Sequence, residues 1–176
     1  MGRLQPRRGM VVAALRHGVF AMKKVLIVLS TSGTSEEAID YAVKRAKKDG
    51  AGLVALYLLE MGLASEIFDK FSDIGFIGDK PSTQLSESIM KEYRQRGYEE
   101  LGKVQIRAME EGVDFEPLME QGDFMQRVLS LIKTMDVSTA VLVKRRKRSF
   151  VKYFSRSMAD EVKEKALCEV VLFEEG

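Results

Sequence analysis

The 176-residue chain has one cysteine, one histidine and no tryptophan, and each of the first two scarcities removes a class of function. Cys168 alone can form no internal disulfide and no cysteine zinc site, which suits a reducing cytoplasm. With His17 alone, neither a histidine metal cluster nor a Ser-His-Asp arrangement is expected. No apolar run is long enough to span a bilayer. Glycine is missing between Gly122 and Gly176. The C-terminal third therefore lacks the bare backbone through which phosphate-binding turns approach an anion.

What is present is the composition of a globular α/β protein, 45% hydrophobic and 31% charged. Its length allows one domain with a sizeable core. The net charge of +2 conceals an uneven distribution. Arg3, Arg7, Arg8 and Arg16 stand in the first 21 residues with no acid, and Lys144–Arg156 carries seven cations with no acid. The rest of the chain is acidic, so that second segment is a local field rather than a general property. In residues 1–21 the apolar stretch Met10–Leu15 is cut short by Arg16 and His17, which makes a poor signal sequence. We expect a disordered extension there and one domain over residues 22–176.

Two periodicities alternate along that domain. Val25–Leu29, Leu53–Leu59, Val113–Met119, Thr139–Val143 and Glu169–Phe173 are apolar or β-branched runs of strand length. Thr34 through Glu37 matches a capping box, followed by the stripe Ala38, Ile39, Ala42, Val43 and Ala46, and by Gly50 as a stop. A long helix is expected from Pro81-Ser82 to about Glu111, with Leu85, Ile89, Tyr93, Leu101, Val104 and Met109 facing inward. Gly97 and Gly102 should weaken it by roughly 1 kcal/mol each. Asp123 opens a helix with Phe124, Val128, Leu131 and Ile132 on one face, and another helix covers about Ser157–Ala166. Residues 60–82, with glycines and phenylalanines in no clean period, read as a mobile excursion with one short helix.

Strands alternating with helices call for a doubly wound parallel sheet with helices on both faces. Pro117, which cannot donate to a ladder, belongs at a sheet edge. Ligands of such folds bind beyond the carboxyl ends of the strands, where the strand order reverses. The candidate site is then the loop after strand one, Ser30 to Thr34, together with the loop after strand four, Lys144 to Arg156.

The stretches KKVLIVLSTSGTSEEAIDYAVKRAKKDGAGLVALYLLE and SRSMADEVKEKALCEVVLFE resemble the universal stress protein family. The resemblance covers nearly all of residues 23–174. It implies the adenine nucleotide alpha hydrolase-like fold, with five strands in the order 3-2-1-4-5. The nucleotide-binding branch of that family carries G-x2-G-x9-G-[ST] after strand four. Its glycines fall here on Val143, Arg146 and Arg156, none of them glycine, and only Ser157 fits. The acid that such binders show at the end of strand one falls on Ser30. By position, Ser30, Thr31, Leu58, Val143, Arg146, Arg156 and Ser157 are the residues that would meet a ligand, with Tyr57 beside Leu58.

The resemblance thus implies a cytoplasmic stress or signalling accessory without enzyme activity and with no cofactor, ATP being disfavoured. Two alternatives stand beside it. One is a nucleotide-binding switch with weak hydrolysis. The other is an adaptor that meets anionic membrane or nucleic acid through Lys144, Arg145, Arg146, Lys147, Arg148, Lys152 and Arg156, with Phe150, Tyr153 and Phe154 interleaved. The plainer reading of those cations is a solvated loop whose charge balances neighbouring acids. Ser30, Thr31, Ser32 and Thr34 suit helix capping better than catalysis, since no base stands nearby in sequence. The apolar last strand, 170–173, would be an exposed edge in a monomer, and pairing across a two-fold axis would make a homodimer.

Overall fold

β-Branched and leucine-rich runs form the centre of a parallel sheet: β1 (Lys24–Leu29), β2 (Gly52–Glu60), β3 (Phe115–Gly122), β4 (Val137–Lys144) and β5 (Glu169–Glu174). Four helices connect them: α1 (Glu36–Asp49), α2 (Thr83–Glu110), α3 (Phe124–Thr134) and α4 (Met158–Lys165). The structure, a computed structural model, describes residues 22–29, 31, 34–60, 83–144 and 158–174, with the side chains of α2 described from Glu87. The sheet order is β3-β2-β1-β4-β5, every pair parallel. That is the order the family resemblance implied, and Pro117 stands on an edge strand, where its missing N–H costs no ladder bond. The expectations for residues 1–21, 61–82 and Arg145–Ser157 lie outside the described residues, whereas Glu60, expected to open the excursion, still belongs to β2.

Period two along the strands divides the core into two layers. Val25, Ile27 and Leu29 with Leu53, Ala55, Tyr57 and Leu59 lie under α1 and α2. Leu26, Val28, Val54, Leu56, Leu58, Ala140 and Leu142 lie under α3 and α4. β1 and β2 are buried on both faces, which is why their sequences are continuous apolar runs rather than alternating ones.

Several boundaries differ from the sequence reading, each for a local reason. Ser35, not Thr34, caps α1: its backbone is extended and its Oγ accepts from the Ala38 N–H at 3.2 Å. Gly50 closes that helix at φ 61°, a left-handed value that favours glycine. β3 starts at Phe115 rather than Val113, and β4 starts at Val137 and runs to Lys144. On α2, Leu101 and Val104 are buried, and Ile89 and Tyr93 are half-buried. Met109 is not an inward residue; it is 69% exposed and Ala108 takes the place against the core. Gly97 is also a fitted residue. A Cβ there would fall 2.6 Å from Tyr57 Cδ1 and 2.6 Å from Met119 Cε, so only glycine lets α2 lie this close to β2 and β3. Gly102 has open space above it.

Candidate functional site

The register of the strands shapes a crevice at the carboxyl end of the sheet. β1 stops at Leu29, level with Tyr57 of β2, whereas β2 continues through Leu58 and Leu59 to Glu60, paired with Gly122 of β3. On the other side Ile27 is level with Val141, and β4 continues through Leu142 and Val143 to Lys144. The short central strand forms the floor between two longer neighbours. Strand order reverses here, because β1 is followed by β2 on one side and flanked by β4 on the other. Thr31, two residues past the end of β1, is half-buried, and α1 begins at Glu36.

Of the residues singled out by position, the structure brings Thr31, Val143 and Lys144 to this end of the sheet. Leu58 is 3% exposed and belongs to the core under α3 and α4. Val143 is half-buried, lies opposite Phe173 of β5 and packs against the core under α1 and α2. Ser30, Arg145, Arg146, Lys147, Arg148, Lys152, Arg156 and Ser157 lie outside the described residues. Lys144, expected in a loop, is the last residue of β4, and its Nζ lies 2.8 Å from Oδ1 of Asp160 on α4.

Among the described residues, two helix starts at this end carry acids. A helix N-terminus ordinarily attracts anions. Here α1 carries Glu36 and Glu37 in its first turn and α4 carries Asp160 and Glu161. Each helix start is thus already complemented by its own carboxylates. Two hydroxyl groups are less settled. Thr34 Oγ1, displaced from the capping role by Ser35, is shielded from solvent and has no hydrogen-bond partner. Tyr57, 1% exposed, also keeps its hydroxyl without a partner, and burial pushes its phenol up to about 12.

Sequence reasoning missed how β5 is held. Tyr41 of α1 stacks on Phe173 with ring centroids 5.4 Å apart and planes tilted by 57°. One helical turn on, Arg45 donates to both carboxylate oxygens of Glu169, at 2.7 and 3.3 Å, and also to Asp49 and to the Tyr41 hydroxyl. These bonds, first the one with Glu169, raise the guanidinium above its ordinary pKa. The i, i+4 spacing of Tyr41 and Arg45 was the available signal, but their partners lie more than 120 residues away. Among the described residues, no helix is long and apolar enough to cross a membrane.

Residues 22–174 match the model of the universal stress protein family. Among solved structures, the fold is similar to a universal stress protein family member from Burkholderia pseudomallei, at 20% identity and a TM-score of 0.61, over 89% of this chain and 98% of that one. It is also similar to a universal stress protein solved in complex with cAMP, at 15% identity and a TM-score of 0.59, over 89% of this chain and 99% of that one. A third is the universal stress protein from Archaeoglobus fulgidus in complex with dAMP, at 16% identity and a TM-score of 0.54, over 88% and 98% of the two chains. No curated protein matches. The chain belongs to the universal stress protein family.

Proposed function

We propose that this member of the family is a non-catalytic, cytoplasmic stress or signalling accessory that does not hold ATP through a glycine loop and that works as a homodimer paired through β5. The observation that carries this reading is the conformation of Val143 and Lys144. Where a glycine loop would turn its backbone N–H groups toward a phosphate, β4 is still an extended strand opposite Phe173 and Glu174. Its side chains are occupied, Val143 with the core and Lys144 with Asp160. The carboxylates at the starts of α1 and α4 work in the same direction, since they repel a triphosphate. Isothermal calorimetry with ATP and Mg²⁺ tests it. We expect no binding tighter than about 10 µM, which corresponds to about −7 kcal/mol. A tighter complex overturns the reading.

A nucleotide-binding switch is the second reading. What favours it is the unpartnered Thr34 hydroxyl beside the crevice, together with a fold shared with proteins solved with cAMP and dAMP. Calorimetry with those two monophosphates separates it from the first, because a ligand with one phosphate suffers less from the acidic helix starts. An adaptor role on anionic membrane or nucleic acid rests on the seven cations from Lys144 to Arg156. Its mark is binding to anionic vesicles or single-stranded DNA that weakens steeply from low to physiological salt.

A further inference from the structure

The longest helix is held unevenly along its length. Below Gly97, Leu101, Val104 and Ala108 are buried, Arg107 is paired with Asp40 and Glu36 of α1, and Glu111, just past the helix end, meets Lys47 at 2.5 Å. Above it, Ile89, Met90 and Tyr93 are only half-buried. Among the described residues, the ion pair in those turns is Arg96 with Glu92 at 3.1 Å, and it joins two residues of the helix itself. The two halves also differ in what lies beneath them. At a rise of about 1.5 Å per residue the 28-residue helix is roughly 42 Å long, against roughly 30 Å for the nine residues of β2. Gly97 is fixed at the level of Tyr57, three residues before the end of β2. The first turns of α2 therefore outrun the strand they follow.

At the junction sits a buried hydroxyl that gains nothing from the closed arrangement. Tyr57 is 1% exposed, its ring lies against Gly97, and its hydroxyl has no hydrogen-bond partner. An unmet buried hydroxyl is costly, and water would satisfy it if the helix above it moved away. Glycine supplies a place for that movement, because a helix bends most easily where no side chain stiffens the backbone.

We propose that α2 hinges at Gly97, so that the helix before Gly97 lifts off β2 while the helix after it stays docked. Opening hydrates the Tyr57 hydroxyl and uncovers Tyr57, Leu59 and Met119 next to the crevice above Leu29. The device is a helical flap whose closed state carries a built-in penalty, which keeps the open state within reach.

Hydrogen exchange followed by mass spectrometry on the full chain tests it, with two isosteric variants that each remove one unpartnered buried hydroxyl. Tyr57→Phe removes the one under the hinge. Thr139→Val removes one that is fully buried at the far end of the sheet. In the wild type, amides 88–96 should exchange faster than amides 101–108. Tyr57→Phe should slow amides 88–96 by about fivefold or more, because it takes the penalty out of the closed state. Thr139→Val should leave them unchanged and slow only the amides that exchange through global unfolding. Equal protection on both sides of Gly97 overturns the proposal. So does an unchanged rate at 88–96 in Tyr57→Phe, or an equal slowing of 88–96 in both variants.

Discussion

The two edges of the sheet are built on opposite plans. β3 exposes Glu116, Pro117 and Gln121, and Pro117 removes one of the N–H groups that an added strand would need. β5 keeps its acids at the ends, Glu169 and Glu174, and presents Val170, Val171, Leu172 and Phe173 between them. Val170 is buried but the other three are only half-buried. One edge closes itself by its own chemistry, whereas the other remains able to pair. The proposed pairing of a second copy through β5 rests on this difference, since an uncovered apolar edge is a liability unless something pairs with it.

The largest expected effect comes from charging the open edge. Val171→Lys should raise the dimer dissociation constant by about 100-fold or more, because an ammonium would have to be buried at the strand pairing. Light scattering at micromolar concentration should then show a monomer while helical circular dichroism persists. A well-folded variant with an unchanged dimer mass would move the interface away from β5. Glu116→Lys on the closed edge is the control and should leave the mass as it is.

A second prediction turns on what holds the closed edge in place. Gly97→Ala sets a methyl 2.6 Å from Tyr57 and from Met119 of β3, so it should destabilise the fold by about 1–3 kcal/mol despite the higher helix propensity of alanine. Gly102→Ala, with open space above it, should stabilise by up to about 1 kcal/mol. Urea melts of the two variants distinguish them by sign. If both stabilise, the approach of α2 to β2 and β3 is not as tight as the structure has it.

These contrasts also show what could be read from residues alone. β1 and β2 were legible because burial on both faces writes itself as an unbroken apolar run, and Pro117 declared its own edge. Gly97 was misleading, since propensity reports the cost of a glycine in a helix but not the tyrosine packed beneath it. Thr34 and Ser35 both suit a cap, and only backbone geometry decides that Ser35 takes the role. Met109 and Ala108 differ by about 100° on the helix, and the larger residue drew the inward assignment although the smaller one is buried in the core. At the site, the crevice followed from topology, whereas the pairing of Lys144 with Asp160 did not. A cation followed by more cations reads as a loop, and its partner lies on the next helix.

The smallest effect concerns the arginine that ties each edge to a helix. Arg45 of α1 grips Glu169 of β5 through two hydrogen bonds, with Asp49 and the Tyr41 hydroxyl steadying the guanidinium. Arg127 of α3 approaches Glu120 of β3 with Nε at 3.2 Å from Oε2, but without hydrogen-bond alignment, and that oxygen has no hydrogen-bond partner. The stem of Arg127 lies instead along Gly122, where a Cβ would come within 3.0 Å of its Cγ. Both pairs are partly exposed, so neither is worth the energy of a buried bridge. Replacing Arg45 with Met should cost about 1 kcal/mol, most of it lost in 1 M salt, because the fork geometry and its neighbours make this the better-ordered pair. Replacing Arg127 with Met should cost about 0.3 kcal/mol with little salt dependence, since the methionine keeps the stem and the missing charge was poorly engaged. Chemical melts at 0.05 M and 1 M salt measure the four values. Equal, salt-sensitive losses at the two sites would mean that both edges are tied by charge. The open edge would then owe nothing special to its clamp on α1.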